Sequence, residues 1–403
     1  EEVANFRLAH SASWLDEGQA VLLRPAKAVL DEAMDHARQF RSWFASPKHA
    51  LLARFGVGTV DQALQAVVAA KHFFVRRFAL AGKVVILDEV HSYDIYTGTL
   101  ITQLIRELIA LRCTVIVLSA TLTTERKREL FQAVNLPLPE EGPAKSYPLV
   151  SVGRVGQKVV EISVSAPVSK NIAVRAETFS AEAILSECLA RAESGQHVLY
   201  LRNTVVEAQE ACRRFLAEAR GDEIQVGLLH GRFPFFRREE LEEYWLERLG
   251  KQRINDGRGS ILVATQVVEQ SVDIDLDFIV SDLAPADMLL QRMGRLWRHP
   301  RNDRKATEPL FWINSPHILE GATAKELKRA LGKSGRVYAP YVLLRTHEVF
   351  EGCKRVTIPA DIRGLLEDTY LERMEEPAAW KELKEELQRE KEVLANRALS
   401  ATR

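Results

Sequence analysis

Six short runs of Val, Ile and Leu, set between longer amphipathic stretches, constrain this chain more than any other feature. Residues 83–88, 114–119, 197–202, 226–230, 260–264 and 277–282 are almost continuously apolar. A strand wetted on one face alternates apolar and polar residues. A strand apolar throughout is buried on both faces, which is the habit of parallel sheets covered by helices. Between the runs, residues 61–80, 98–112, 181–194, 205–219 and 237–249 carry apolar residues at helical spacing. Strand–helix alternation of this kind predicts parallel α/β layers. The Pro/Gly-rich passage from Leu136 to Pro148 reads as the end of a first lobe.

The 403 residues suit two or three domains, at ~100–200 residues each. With 46% hydrophobic residues the chain can bury sizeable cores. Lys+Arg and Asp+Glu are both 55, so no global field advertises a polyanionic partner. Any nucleic-acid contact must come from a local cleft. The four cysteines, Cys113, Cys188, Cys212 and Cys353, form no CxxC pair. That argues against zinc ribbons and disulfide frameworks and fits a reducing, cytoplasmic setting. No apolar run approaches the ~20 residues that span a bilayer, and no signal peptide stands at Glu1.

The chemistry sits at the ends of the apolar runs. The first runs into Asp88-Glu89-Val90-His91 and the second into Ser119-Ala120-Thr121. A nucleotide-bound magnesium takes oxygen ligands and keeps several waters, so one carboxylate at a strand end suffices. A neighbouring carboxylate can orient the attacking water. Asp88 is therefore the candidate magnesium ligand and Glu89 the water-orienting group. Ser119 and Thr121 are candidates to hydrogen-bond back toward these carboxylates. Hydroxyls also end strands in ordinary turns. Downstream come Thr265-Gln266, the stretch from Val267 to Asp275, and Gln291-Arg292-Met293-Gly294-Arg295-Leu296-Trp297-Arg298. Arg295 and Arg298, three apart, are expected on one helical face, where planar guanidinium forks match the oxygens of a γ-phosphate.

The ordered series DEVH, SAT, ATQ…SVDID and QRxGRxxR resembles the superfamily 2 helicases. Four segments narrow the resemblance: 58–64 (GTVDQAL), 201–205 (LRNTV), 267–275 (VVEQSVDID) and 291–295 (QRMGR). They are similar to the helicase subunit of type I CRISPR interference, and the likeness runs from about Phe6 to Tyr370. The resemblance implies two RecA-like lobes, the first truncated, at 1–150 and 151–310, followed by a mostly helical C-terminal accessory domain at 311–403. It implies an ATP- and Mg2+-dependent translocase on single-stranded DNA. The implied partners are an RNA-guided surveillance complex and a histidine–aspartate nuclease, and the implied setting is the prokaryotic cytoplasm, with the protein a monomer. Asp273 matches the position that binds nucleotide ribose in related motors, and Asp275 orders the loop. His91 is expected to couple the nucleotide site to Gln291. Thr59, Asn203, Thr204, His230, Arg232 and Thr265 are the candidate DNA contacts, since hydroxyls, amides and strand-end groups hold phosphates without reading bases. Each alone can also serve as a cap, and Thr204 before Val205 has the look of an N-cap.

Two departures matter. No GxxxxGK[ST] phosphate cradle occurs in these residues. Gly332-Lys333-Ser334 has Leu327 where the leading glycine belongs, and it follows a helical stretch, so Gly332 is expected to cap a helix. No His-Asp dipeptide occurs among the 10 histidines. The chain is thus expected to be a C-terminal portion, inactive as an ATPase alone. The alternatives are a non-hydrolysing DNA-binding or effector-docking module, or another superfamily 2 remodeller. Two further segments are read as structural. Residues 71–78 form a core helix with a solvated basic face. Trp380, Leu383, Leu387 and Leu394 form the packed stripe of a last helix.

Overall fold

The computed structural model describes residues 6–9, 50–71, 73–90, 94–138, 147–219, 224–253 and 256–402. They divide into two compact units. The first comprises Glu1–Glu140, Ser151–Val160 and Arg389–Arg403, and the second Glu141–Val150 and Glu161–Gln388.

In the first unit, β1 (Phe6–Ala9) pairs in parallel with β2 (Phe55–Gly58). Helices α1 (Val60–Leu64) and α2 (Phe73–Leu80) follow. Then β3 (Val84–Leu87), α3 (Ile95–Ala110) and β4 (Thr114–Val117) form a strand–helix–strand unit with the two strands parallel. Helix α4 (Thr124–Gln132) comes next. Asp94 caps α3 by accepting from Thr97 N, and Thr123 caps α4 by accepting from Arg126 N. The core is one face of the strand pair against α3, through Leu87, Leu100, Leu104 and Leu108. The other face is open among the described residues: Val84, Ile86, Ile116 and Leu118 are exposed. The expected burial on both faces is not met there, because α3 covers one side only.

Residues 71–78 also depart from expectation. Arg76 is buried, while Phe74 and Phe78 are exposed. Arg77 donates to Ala66 O at 2.9 Å and pairs with Glu107 at 3.3 Å, so these polar partners turn the basic side inward. His72 lies outside the described residues.

A two-stranded sheet, β5 (Leu149–Val152) with β6 (Val160–Ser163), precedes the second unit's main sheet. That sheet contains β7 (Lys170–Glu177), β8 (His197–Leu201), β9 (Ile224–Leu229), β10 (Gly259–Ala264), β11 (Phe278–Asp282), β12 (Leu310–Asn314) and β13 (Arg355–Ile358). Its order is β13-β7-β12-β11-β8-β10-β9, parallel except for β13 against β7. Alternation along each strand builds two cores. Val198, Tyr200, Ile261 and Val263 face α5 (Ala181–Glu193) and α6 (Val205–Glu218). Leu199, Leu201, Leu262 and Ala264 join the opposite core, with Trp245 of α7 (Phe235–Leu249). That second core also takes in α8 (Val267–Ser271), α9 (Ala286–Met293), α10 (Ala324–Leu331), α12 (Pro340–Phe350) and α13 (Ile362–Tyr370). Between α10 and α12 lies the single turn α11 (Ser334–Val337).

Residues 311–388 therefore share the second unit with the sheet. Gly332, at φ 57°, caps α10 by donating to Lys328 O and Arg329 O. In α14 (Ala378–Ser400), Trp380, Leu383 and Leu387 pack on the second unit's core. The mixed α/β architecture with a parallel-dominated sheet agrees with the sequence reading.

Candidate functional site

In the first unit the motif residues sit together at one edge. Strands β3 and β4 run in register, Leu87 beside Val117, so their carboxyl ends open on the same side. Ligands of parallel α/β sheets bind at that edge. Asp88 and Glu89 leave β3 there, both exposed. Glu89 N donates to Asp88 Oδ1 at 2.9 Å. Glu89 adopts φ 53°, a left-handed conformation that non-glycine residues rarely hold. Beyond β4, Thr121 N donates to Ser119 Oγ at 3.4 Å, and Val90 N donates to Leu118 O at 3.3 Å, which ties the two strand-end loops. Thr121 is buried, and its hydroxyl has no partner among the described residues. Thr59 is half-buried at the N-cap of α1 and makes no side-chain capping bond. His91 lies outside the described residues.

The second unit gathers a larger set. Strands β8, β10 and β9 are adjacent and parallel, and Asn203–Thr204, Thr265 and His230 follow their carboxyl ends. Thr204 is an N-cap: its hydroxyl accepts from Glu207 N at 3.4 Å and bonds Glu207 Oε2 at 2.5 Å. Asn203 is buried; its amide nitrogen donates to Leu283 O at 2.8 Å and Ser334 Oγ at 2.9 Å. Its Oδ1 has no partner among the described residues. His230 stacks on Phe233 with centroids 4.1 Å apart, and its Nε2 lies 3.2 Å from Gln209 Nε2. Burial lowers its pKa below the ordinary imidazole value. Its Nδ1 is likewise unpartnered. Thr265 is buried and its N donates to Leu229 O at 3.1 Å, whereas Arg232 is exposed. Buried polar atoms almost always find partners. Thr121, Asn203 and His230 each leave one such atom unpartnered among the described residues, as do Arg253 and Trp312 away from these edges.

The expected helical face for Arg295 and Arg298 is not what the chain builds. Helix α9 ends at Met293, with Gln291 half-buried in its last turn. A Cβ on Gly294 would stand 3.0 Å from Gln291 O. Trp297, at φ 45°, turns the chain back beside Leu276, where Leu276 N donates to Arg295 O and Trp297 N to Leu276 O. In that turn the Arg295 guanidinium donates to Val272 O at 2.6 Å and to Glu269 O. Arg298 pairs with Asp273 at 2.5 Å, both well exposed. Asp275 is fully buried and accepts from Arg298 N, Arg301 and Arg304, the loop-ordering role expected of it. The turn thus brings Arg298 to Asp273 and Arg295 to the backbone that precedes it.

Sequence reasoning passed over the polar network at this carboxyl edge. Arg292 is fully buried, donating to Glu269 at 2.6 Å, to Ser281 Oγ at 2.7 Å and to Tyr338 OH at 3.4 Å. Gln266 Nε2 donates to Tyr338 OH at 2.8 Å and to Asn203 O at 3.2 Å. Arg202 pairs with Asp282 at 2.8 Å and Glu207 at 3.2 Å. The available signal was position: Arg292 falls on the buried stripe of Leu289, Leu290 and Met293.

As to a cation, no cluster of three or more His, Cys, Asp or Glu side chains of metal-binding geometry exists among the described residues. A hard cation that keeps most of its waters needs only one or two carboxylates, and the adjacent Asp88 and Glu89 offer that donor set. No helix among the described residues is long and apolar enough to cross a membrane.

Known proteins resemble this chain over most of its length. Residues 194–301 match the model of the CRISPR-associated nuclease/helicase Cas3 C-terminal family. The chain is 35% identical to the CRISPR-associated endonuclease/helicase Cas3 of Thermus thermophilus, over 90% of this chain and 43% of that protein. It superposes on the crystal structure of T. fusca Cas3 with a TM-score of 0.81 and 31% identity, covering 99% of this chain and 46% of that one. The ATP form of T. fusca Cas3 gives 0.80 and 29%, with the same coverage. A chain of a CRISPR RNA-guided surveillance complex, pre-nicking, gives 0.73 and 28%, covering 99% and 52%. The chain spans somewhat under half the length of the Thermus relative. On these grounds it belongs to the Cas3 family of CRISPR-associated nuclease/helicases.

Proposed function

We propose that this chain is the helicase part of an ATP-dependent translocase on single-stranded DNA, acting in type I CRISPR interference. The supporting observation is that Asp88–Glu89 and Ser119–Thr121 leave the carboxyl ends of two adjacent parallel strands. A Cas3 relative in its ATP form and one within an RNA-guided surveillance complex favour ATP as the nucleotide and such a complex as the partner. The nuclease/helicase names of the relatives favour an HD nuclease working with it.

In this reading residues 1–150 and 151–310 are the two motor lobes and 311–403 the accessory region. Asp88 would hold magnesium and Glu89 would orient the attacking water, with Ser119 and Thr121 steadying the loop. Magnesium, when bound, supplies neutralisation of phosphate charge. Asp273 would meet the ribose, and Arg295 and Arg298 the γ-phosphate. His91 and Gln291 would serve the nucleotide site. Thr59, Asn203, Thr204, His230, Arg232 and Thr265 would hold the DNA backbone. In the full protein, ATP turnover measured with and without a single-stranded oligonucleotide should rise on DNA addition to about 1–100 s⁻¹. Glu89→Gln should abolish that turnover while oligonucleotide binding persists. Turnover indifferent to DNA would sink the proposal.

A further inference from the structure

Residues 332–338 belong to none of the motif segments, yet they reach into the carboxyl edge of the main sheet. Gly332 breaks α10, and the single turn α11 follows. Tyr338 N donates to Ser334 O at 2.9 Å. Ser334 opens this turn and Tyr338 is its extended C-cap, and both side chains reach the same edge of the sheet. Ser334 Oγ accepts from Asn203 Nδ2, in the loop after β8. Tyr338 OH accepts from Gln266, in the loop after β10, and from Arg292 of α9. Gln266 in turn donates to Asn203 O, and Arg292 holds Glu269 of α8.

One tyrosine hydroxyl therefore bridges a strand-end loop to the helix that leads into Arg295 and Arg298. The Asn203 amide is held through its nitrogen by two acceptors, which leaves Oδ1 facing its surroundings unpartnered among the described residues. A backbone carbonyl such as Leu283 O can only accept, which fixes this amide orientation. The half-buried Tyr338 hydroxyl is shared by a glutamine and an arginine, so a shift of either one is felt by the other through this common partner.

We propose that Tyr338, with Ser334, is a positioning residue that couples the DNA-facing loops at Asn203 and Gln266 to the arginine helix α9. The inference rests on the helicase reading above. In this proposal the clasp itself binds neither ATP nor DNA. It sets how far engagement of DNA at one end is felt at the other.

The test is steady-state ATP turnover of the full protein with and without saturating single-stranded oligonucleotide, beside oligonucleotide affinity and thermal unfolding. Tyr338→Phe keeps the ring and removes only the hydroxyl. It should lower the ratio of stimulated to basal turnover by about fivefold or more, with basal turnover and affinity within about twofold of wild type, the scale of an energetic coupling between sites. Ser334→Ala reads the other end of the clasp and should lower the same ratio, so an unfolded Tyr338 variant leaves the question answerable. A ratio unchanged in both variants overturns the proposal. So does an equal fall of basal and stimulated rates, which marks a purely structural contact. A wild-type protein whose turnover ignores DNA overturns the helicase reading itself, and the coupling role with it.

Discussion

Arg292 and Arg298 stand six positions apart in one motif and meet opposite surroundings. The first is fully buried against Glu269, and the second is 41% exposed beside an Asp273 that is 48% exposed. Removing one partner of a buried ion pair leaves an uncompensated charge and costs roughly 3–5 kcal/mol. An exposed pair is worth only ~0–1 kcal/mol, because water and salt screen it. Arg292→Ala should therefore lower the unfolding midpoint sharply, and Arg298→Ala should barely move it. If Arg298 meets the γ-phosphate, its alanine variant should lose on the order of 10³-fold or more in turnover while still binding single strands. Turnover within about tenfold of wild type would place Arg298 outside the nucleotide site, since an arginine finger contributes far more than that. Spacing in the sequence picked out Arg295 and Arg298, but spacing does not say which arginine of a motif turns inward. That depends on where α9 meets the sheet, and on Trp297 redirecting the chain before Arg298.

At the scale of elements, legibility followed burial. All six apolar runs form strands. The four in the main sheet are covered on both faces and leave an unbroken hydrophobic record, whereas β3 and β4 are as apolar with one face exposed among the described residues. Strands β7 and β13 left weaker records, whereas β12, buried at Phe311, Trp312 and Ile313, was passed over as a short run. β7 has only Ile172 and Val174 fully buried, and β13 is a four-residue edge strand pairing on one side. Residues 71–78 were misread because aromatic content says nothing about which face meets a partner. The polar bonds of Arg77 decide that orientation. Close approaches are also invisible in a single sequence. Gly227 of β9 leaves a notch for Trp245 of α7, and a Cβ there would stand 2.3 Å from the indole. Ring and strand are both packed, so neither yields freely. Gly227→Ala should destabilise the protein by about 1–3 kcal/mol, the range for overpacking a tight core. A denaturant midpoint equal to wild type would mean that the α7–β9 packing relaxes at no cost.

Across the whole molecule, charge sets how nucleic acid can be held. Lys+Arg and Asp+Glu balance at 55 each, so no long-range field draws a polyanion in. Many arginines are already committed to protein partners: Arg202 to Asp282, Arg292 to Glu269, and Arg301 and Arg304 to Asp275. The proposed DNA contacts are mostly hydroxyls, an amide and a histidine whose pKa burial lowers, which keeps it neutral near pH 7. Counterion release on single strands contributes ~0.7 to the salt slope per phosphate neutralised. With so few free cations at the proposed interface, binding of the full protein to single-stranded DNA should show a shallow salt dependence and little preference among unrelated sequences. Titrating a labelled oligonucleotide at several salt concentrations measures both. A steep slope would mean that DNA lies on a basic surface elsewhere on the protein. Thr59→Ala and Thr265→Ala should weaken binding or lower the DNA stimulation of ATP turnover. Two variants indistinguishable from wild type in both assays would return those threonines to plain structural roles at their strand and helix ends.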